Sequence, residues 1–493
     1  MKSLIFPFLA VIASAADPYV ISDILTANTL ANSRSTDWKP GQGITLEVSG
    51  MDWLPDGRLA VALRKGEVWL LGNVHTEKAS DVTYKLFASG LHEPLGLRCE
   101  GKDLLITQRS ELTRLRDVNG DDQADEYLTD ASGWGVSGAY HGYAYGPKQD
   151  GQGQDWMALN VDMGDHSDNK RGWRGWAVVK GKDGNILPMA AGLRSPCGLG
   201  ANREGDMFCV DQQGTWVPAT PVFHLRKGIF MLNQEGLPSQ NLPGSPLKLP
   251  EKLPNGVPYP EALRSVPQMV PPAVWLPYNK AGRSGTDIVL CNAKGRFGPY
   301  DGQLFVAEFT DAKINRVFLE KVDGEYQGAV FPFVGGFASG IVRLSMSAEG
   351  QLFVGMTSRG WSSLGTRAYG LQRVKWNGVS DFAIKEMRAL PDGFELTFTE
   401  PVDAKSATNT KSYSMTSYTY LYSGAYGSDE IDTKTLAVTS ATINEANTQV
   451  RLKVSGLRPI YVHELQATGI RSASGQPLKS PAAYYTLNRI PTK

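Results

Sequence analysis

Two short segments of the chain place an ionisable residue in front of the same apolar pattern. They are GLHEPLGL from Gly90 and GLRSPCGL from Gly192, so His92 and Arg194 occupy corresponding positions. Another histidine, His141, opens a comparable segment in SGAYHGYAYGP. An imidazole titrates near neutral pH and can accept a proton from a hydroxyl group, whereas a guanidinium pairs with a carboxylate through two parallel hydrogen bonds. These positions are therefore candidates for proton transfer and for anion binding.

An acidic loop in the first half of the chain has the spacing of metal ligands. Oxygen-bearing side chains recur at alternate positions from Asp117 to Asp125, as they do in calcium-binding loops. Asp122 stands where such loops prefer glycine, and Leu128 replaces the usual terminal glutamate. The alternative is a solvated acidic turn. We predict a structural calcium ion whose ligands are Asp117, Asn119, Asp121, Gln123 and Asp125.

A repeat indicates which elements position these residues. An apolar stretch, a glycine turn, a second apolar stretch and a polar turn recur as a unit. The six copies begin at Gly50, Glu93, His141, Ser195, Gly285 and Gly340. Repeats of this size that are rich in strand formers and lack helical periodicity are typical of propeller blades. We predict a six-bladed β-propeller over residues 49–378, preceded by a lead-in at 16–48 that supplies a strand to close the ring.

Two further regions complete the predicted organisation. A proline-rich insertion at about 218–283 separates the fourth and fifth blades and cannot be regular sheet throughout. From 381 to 493 apolar and polar residues alternate between turns, which predicts a small immunoglobulin-like β-sandwich that aids docking or stability. The fold class is therefore all-β, a six-bladed β-propeller followed by a small immunoglobulin-like β-sandwich.

The predicted ring brings polar residues from distant segments to one face. Loops before the innermost strands and turns between second and third strands open on the same side of a propeller. A plain polar rim is the alternative, but ionisable groups in crowded positions are costly unless they bind something. This face would carry Arg64, His92, Gln108, Arg109, His141, Asp165, Arg194, Asp211, Gln212, Arg343 and Arg359. Among them we predict substrate contacts for His92, Arg109, Asp211, Gln212 and Arg359.

Composition and the N-terminus bear on location and partners. Lys plus Arg and Asp plus Glu each number 50, so no net charge favours nucleic acid. Residues 1–15 have the charged, apolar and small-residue regions of a signal peptide, and no later stretch resembles a transmembrane segment, which predicts a periplasmic or secreted protein. Cys197 and Cys209 flank a predicted hairpin, where they could form a disulfide or remain free thiols. There is no CxxCH motif for a haem of its own.

The repeated segments resemble a known family, the quinoprotein soluble aldose (glucose or sorbosone) dehydrogenases and their exported bacterial relatives. The resemblance covers about residues 49–378 and is carried by the two segments above, by SGAYHGYAYGP, by the run TQRSELTRLRDVNGDDQADE and by DGQLFVAEFTDAKINRV. It implies a six-bladed propeller that holds pyrroloquinoline quinone near a calcium ion. It also implies that His141 takes the proton from a sugar C1 hydroxyl while hydride moves to the quinone.

The resemblance also suggests roles for other residues. Asp165 would orient His141, and Arg194 and Arg343 match family arginines, so the predicted quinone contacts are Gln108, Arg194, Arg343 and Lys313. Ser195 replaces the family asparagine after Arg194. Thr310 stands at a family lysine, with Lys313 nearby.

Three interpretations follow for the function. The first is an exported sugar or alcohol oxidoreductase that acts on a sugar or polysaccharide and passes electrons to an external acceptor. The second is a cofactor-free hydrolase or lyase acting on carbohydrates through His141, His92 and acidic groups. The third is a non-catalytic glycan-binding propeller.

Overall fold

The computed structural model describes residues 17–26, 45–164, 168, 172–360 and 362–492. Strands form most of its regular structure, so the all-β class predicted from the sequence is confirmed. The predicted signal peptide at 1–15 lies outside the described residues. Among the helices that the described ranges contain, none is long and apolar enough to cross a membrane.

Three antiparallel sheets form the first part of the structure after an N-terminal strand. That strand is β1 (Tyr19–Leu25). The first sheet contains β2 (Val48–Trp53), β3 (Leu59–Leu63), β4 (Glu67–Gly72) and β5 (Thr83–Ala88). The second contains β6 (Leu97–Glu100), β7 (Asp103–Thr107), β8 (Glu111–Arg116) and β9 (Glu126–Ser132). The third contains β10 (Ala144–Gln149), β11 (Asp155–Leu159), β12 (Trp176–Lys180) and β13 (Ile186–Ala191).

Three further sheets continue the series. The fourth contains β14 (Gly198–Ala201), β15 (Met207–Val210), β16 (Thr220–His224) and, after a long insertion, β19 (Val274–Leu276). The insertion contains β17 (Ile229–Phe230), which pairs in parallel with β13 of the third sheet. It also contains β18 (Val257–Pro258) and helix α1 (Tyr259–Ser265). The fifth contains β20 (Gly285–Leu290), β21 (Leu304–Glu308), β22 (Lys313–Val322) and β23 (Glu325–Gly335). The sixth contains β24 (Ile341–Met346), β25 (Leu352–Thr357) and β26 (Tyr369–Trp376).

The six sheets form a closed ring. The first strand of each sheet contacts the first strand of the next, in the order β2, β6, β10, β14, β20, β24 and back to β2. Glycines allow this close approach, since a Cβ atom on Gly96 would lie 1.8 Å from the carbonyl oxygen of Gly146. The N-terminal strand β1 pairs antiparallel with β26, so the sixth sheet joins the two ends of this region. We infer a six-bladed propeller from this ring.

The long insertion falls within the predicted range 218–283, but it lies inside the fourth sheet and not between the fourth and fifth blades. It follows β16 and precedes β19, so it interrupts the fourth sheet before its outermost strand. Sequence spacing located the extra residues but could not show that the chain returns to the same sheet. The insertion packs against the C-terminal region, because β18 pairs with a C-terminal strand at Val257 and Tyr422.

The C-terminal region consists of two sheets around an apolar core. The strands are β27 (Ile384–Leu390), β28 (Gly393–Phe398), β29 (Ser414–Tyr422), β30 (Glu430–Leu436), β31 (Val438–Ile443), β32 (Gln449–Val454), β33 (Tyr461–Gln466) and β34 (Ala482–Leu487), with the short helix α2 (Ala404–Ala407). One sheet has the order β27-β28-β32-β31, and the other combines β29, β30, β33 and β34. We refer to this region as the sandwich.

The sandwich continues a sheet of the ring. Strand β34 pairs antiparallel with β23, with Ala329 opposite Tyr485, so the fifth sheet runs on into the sandwich. The core of the sandwich includes Phe394, Leu465 and Tyr485, all buried. The ring and the sandwich therefore share backbone hydrogen bonds and not only side-chain contacts.

All four cysteines are free thiols. Cys209 lies opposite Leu199 in the fourth sheet, whereas Cys197 precedes that sheet and lies beside Arg343. The free-thiol alternative therefore holds for Cys197 and Cys209.

Candidate active site

A two-part cavity opens along the axis of the ring. Its inner part is lined mainly by apolar and aromatic groups, with Glu47 as its single carboxylate among the described residues. Its outer part is more polar. The outer lining comprises His141, Met163, Gly164, Arg194, Ser195, Gln212, Gln213, Tyr278, Arg283, Ser284, Thr310, Ser362 and Tyr426. His141, Ser195 and Gln212 line both parts, so they stand at the junction of the inner and outer cavities.

His141 lies in the loop before β10 and has the environment of a neutral base. Its ring contacts the Tyr140 ring edge-on, with centroids 5.1 Å apart. Burial lowers the pKa of His141 below its ordinary value, the charges of Arg194, Arg109 and Arg64 lower it further, and a hydrogen bond with the Met163 backbone opposes the shift. The imidazole is thus unprotonated at neutral pH and available to accept a proton.

Arg194 lies in the loop before β14 and is held in a fixed orientation. Its Nε atom donates a 3.1 Å hydrogen bond to Thr215 Oγ1. The guanidinium lies against the backbone of Gly214, where an added Cβ would come within 2.1 Å of Arg194 Cζ. The Tyr426 ring lies 5.2 Å from the same Cζ atom. No described residue accepts a hydrogen bond from the Arg194 Nη atoms, so they are available to a ligand.

Asp211 builds the turn that presents Arg194. Its carboxylate accepts hydrogen bonds from the backbone N–H groups of Arg194 (2.7 Å), Ser195 (2.8 Å) and Gln212 (2.7 Å). Burial raises the pKa of Asp211 to about 6, against the opposing effect of these three donors. The side chain is fully buried and does not line the cavity. It therefore positions the neighbouring residues.

The outer cavity has a second arginine beside a second tyrosine. Arg283 Cζ lies 5.9 Å from the centroid of the Tyr278 ring. Its Nε atom is buried and donates no hydrogen bond to a described residue, although Asp311 Oδ1 lies 3.5 Å away. No described Asp or Glu lines the outer cavity. Two guanidinium groups without lining carboxylates favour an anionic ligand.

The inner cavity contains the predicted contact Arg359 together with Arg64 and Glu47, which the sequence did not single out as ligand contacts. Arg64 donates to the hydroxyl groups of Tyr143 (2.5 Å) and Tyr140 (3.3 Å). Arg359 Nε donates a 2.6 Å hydrogen bond to Glu47 Oε1, whereas Glu47 Oε2 is buried without a hydrogen-bond partner among the described residues. The repeat pattern placed Arg64 and Arg359 on this face, but it gave no signal for Glu47, which precedes the first repeat.

Arg343 lies on the axis but outside the cavity lining. Its guanidinium donates to backbone carbonyls in or just before the first strands of five sheets, and its Cζ lies 5.4 Å from the Tyr145 ring of the remaining sheet. The acceptors are the carbonyl oxygens of Ser49 (2.8 Å), Leu95 (2.6 Å), Cys197 (3.1 Å), Thr286 (3.2 Å) and Val342 (2.6 Å). The predicted quinone contact is therefore occupied by the protein's own backbone and joins all six sheets.

Other predicted site residues also have protein partners away from the cavity. Gln108 bonds to the His92 N–H and to Thr113 Oγ1. Arg109 pairs with Glu93 and donates to the carbonyls of Ala139 and Tyr140, which supports the loop that carries His141.

Two further predicted site residues do not line the cavity, and a third lies outside the described residues. His92 is exposed, and Lys313 pairs with Asp311 at 2.9 Å, so neither lines the cavity. Asp165 lies outside the described residues. Among the predicted residues, the cavity brings together His141, Arg194, Gln212 and Arg359.

In the acidic loop, side-chain carboxylate oxygens accept hydrogen bonds from the backbone N–H groups of the same loop. Asp117 accepts from the N–H groups of Gly120, Asp121 and Asp122, and Asp125 accepts from Val118 and Asn119. In the part of the chain that the structure describes, no group of three or more His, Cys, Asp or Glu residues is arranged to hold a metal ion. The loop does not fit a preformed calcium site in this arrangement, and calcium binding stays a prediction.

The outer cavity offers donors for an anionic ligand. Arg194 has Nη atoms without a described acceptor, and Arg283 lines the same cavity with a partly exposed side chain. Pyrroloquinoline quinone, a planar ring system with carboxylates, matches this set of donors. These residues differ from the predicted quinone contacts Gln108, Arg194, Arg343 and Lys313, of which only Arg194 lines the outer cavity.

Comparisons with known proteins found similarity among solved structures. No family model matches the chain, and neither does any curated protein. The PQQ-bound form of an aldose sugar dehydrogenase from Streptomyces coelicolor is 12% identical with a TM-score of 0.46, and the match covers 72% of this chain and 98% of the other. The holo form of a pyranose dehydrogenase PQQ domain from Coprinopsis cinerea is 15% identical with a TM-score of 0.47, covering 73% and 96%.

A third structure, the apo form of the soluble aldose sugar dehydrogenase from Escherichia coli, is 11% identical with a TM-score of 0.47, and the match covers 73% of this chain and 100% of the other. Soluble aldose sugar dehydrogenases are thus among the solved structures to which this chain is similar, at low sequence identity.

Proposed function

We propose that the chain is an exported sugar oxidoreductase of the quinoprotein type, built on a six-bladed propeller with an immunoglobulin-like sandwich. The observation that carries the proposal is that His141 and Arg194 line one axial cavity, the first as a neutral base and the second as a guanidinium with free donors. Arg194 and Arg283 would hold the carboxylates of pyrroloquinoline quinone in the outer cavity. The quinone supplies a two-electron acceptor for hydride when it is bound.

His141 would act on the hydroxyl group of the substrate. Its unprotonated ring nitrogen accepts the hydroxyl proton as the C–H bond at the same carbon gives up hydride, so the alcohol carbon becomes a carbonyl. Burial and the positive charges of Arg194, Arg109 and Arg64 favour the neutral imidazole before this step. The proton is then released to solvent, and an external acceptor takes the electrons.

The cavity supports this proposal over glycoside hydrolysis. Most glycosidases need two carboxylates that flank the bond to be cleaved. Glu47 is the single carboxylate of the inner lining, and the outer lining has none among the described residues. A redox step that needs one base and an anion-binding group matches the residues present better than a paired-carboxylate mechanism does.

Reconstitution of the full chain tests the proposal. Purified protein is titrated with pyrroloquinoline quinone, with and without calcium, and binding is followed by absorbance and calorimetry. We expect one quinone per chain and sugar-dependent reduction of an added dye. Arg194→Ala should weaken quinone binding, and His141→Ala should bind quinone but lose dye reduction. Absence of quinone binding together with absence of sugar-dependent dye reduction would overturn the proposal.

A further inference from the structure

A loop of the sandwich reaches over the ring and contributes to the outer cavity. It joins β29 to β30 and is fixed to the fourth sheet by backbone hydrogen bonds from Gly427 to the Gly214 carbonyl and from Ser428 to the Pro218 carbonyl, each 3.0 Å long. Thr215 and Tyr426 also form a β-bridge. The backbone thus holds the loop at the cavity, so the Tyr426 side chain is not needed to anchor the loop and can contact a ligand.

The local sequence of this loop suits a fixed position. Gly427 has a φ of +69°, in the left-handed region that favours glycine, so the residue type suits the backbone conformation of the loop. At the end of β29, the Tyr422 hydroxyl donates a 2.7 Å hydrogen bond to the Leu232 carbonyl in the insertion. Both ends of the loop are therefore anchored to the ring or to its insertion.

Tyr426 presents one face to the protein and the other to solvent. Its ring packs on the Arg194 guanidinium, with 5.2 Å between Cζ and the ring centroid, yet the residue is 68% exposed. Single exposed aromatic residues are common on protein surfaces. Here the backbone is pinned, the ring is backed by a cation, and the side chain lines a cavity, and together these observations indicate a binding surface.

A second exposed tyrosine at the same opening is also organised by the sandwich. Tyr278 is 43% exposed, lines the outer cavity and lies beside Arg283. Two residues further on, Lys280 Nζ forms 2.7 Å ion pairs with Glu430 and Glu464 of the sandwich. The sandwich therefore holds the loop that carries Tyr278 and supplies Tyr426 itself.

We propose that the rim of the outer cavity is a binding subsite for a chain of sugar units, in which Tyr426 stacks on a sugar ring beyond the one next to His141. The carbohydrate class of the ligand rests on the proposed function. The apolar C–H face of a pyranose packs on an exposed aromatic ring, and rings that are already fixed lose little conformational entropy on binding. The sandwich would then contribute directly to ligand binding.

Calorimetry on the full chain without added cofactor tests this subsite. The probes are two matched pairs, glucose with maltotriose and galacturonate with trigalacturonate, which separate neutral from acidic sugars. We expect the trisaccharide of at least one pair to bind about tenfold more tightly than its monosaccharide, a difference of about 1.4 kcal/mol. Tyr426→Ala should reduce this ratio to within about twofold, and Tyr426→Phe, which keeps the ring, should preserve it.

The controls separate this proposal from the proposed function. Tyr127→Ala removes an exposed tyrosine of the second sheet and should leave the ratio unchanged. A wild-type ratio near one in both pairs, or an unchanged ratio in Tyr426→Ala, would refute the subsite, even if the enzyme oxidised monosaccharides. A ratio that depends on Tyr426 without any quinone-dependent oxidation would support the subsite and refute the oxidoreductase. Tyr278→Ala provides a second variant should Tyr426→Ala fail to fold.

Discussion

Arg194 of the ring and Tyr426 of the sandwich form a cation–π contact of 5.2 Å at the mouth of the axial cavity. The contact joins residues more than two hundred positions apart in the sequence. It leaves the Arg194 Nη atoms without a described acceptor while fixing the plane of the guanidinium. A fixed donor pair of this kind binds a carboxylate with little loss of side-chain freedom.

Replacement of His141 tests the base. His141→Ala should lower the turnover number by roughly 10²–10⁴-fold, because a positioned base contributes that much to proton transfer. The control is His75→Ala, which removes a histidine that pairs with Glu349 away from the cavity. Turnover equal to wild type in His141→Ala would exclude the assigned role.

The pH profile gives a second measurement on the same residue. Burial lowers the pKa of His141, so the folded protein favours the neutral ring. The activity and the stability contributed by this shift are present above the ordinary histidine pKa and are lost as pH falls through the lowered value. We expect the acidic limb of kcat/KM to have its midpoint below about 6.5. A midpoint at higher pH, or an identical limb in His141→Ala, would contradict this.

Arg194 should govern the binding of anions. Arg194→Ala removes both free Nη donors and should raise the Kd for pyrroloquinoline quinone about ten- to a hundredfold, as expected for a charged hydrogen-bonded pair. Arg194→Lys keeps the charge but not the paired donors, so its Kd should lie between the two. Arg367→Ala, which removes a surface arginine paired with Asp23, is the matched control. Equal Kd values for Arg194→Ala and wild type would contradict the role.

Arg343 should be a major contributor to stability. Arg343→Met leaves five buried carbonyl acceptors without their donor, so the free energy of unfolding should fall by about 3–5 kcal/mol. Chemical denaturation measures the change. The exposed Arg367 pair gives the contrast, since its loss should cost less than about 1 kcal/mol. A change in Arg343→Met as small as that of Arg367→Ala would show that the axis tolerates an apolar residue.

Calcium should raise the thermal stability if the acidic loop binds it. A metal that binds only the native state adds about 2.7 kcal/mol at a hundred times its Kd. The loop would have to release backbone amides from Asp117 and Asp125 to coordinate the ion. The expected result is a lower Tm after chelation, a difference that Asp125→Asn should reduce. An unchanged Tm and no metal by elemental analysis would leave the loop as an acidic turn.

The repeat in the sequence contains the information that places His141, Arg194 and Arg359 around one cavity. Each stands in a loop before a first strand or in a turn after a second strand, and ring closure brings such positions together. The repeat does not determine where a long side chain ends. Arg343 and Arg194 are both arginines near first strands, yet one is bound by carbonyls on the axis and the other faces the cavity.

Tyr426 could not have been predicted from the repeat, because it belongs to a region with a different sequence period. Its position depends on the pairing of β34 with β23 and on the backbone bonds of the loop to the fourth sheet. Lys313 shows the opposite case. It is a predicted quinone contact, but its ammonium group pairs with Asp311, two residues earlier in the chain.

The five hydrogen bonds of Arg343 turn the axial opening into a cup with a closed base. A sugar polymer cannot thread through such a cup, so only a chain terminus or a short branch can reach His141. The proposed enzyme should then work on polymers from their ends. Its action would then increase the number of oxidised chain ends and leave the interior units of the polymer unoxidised.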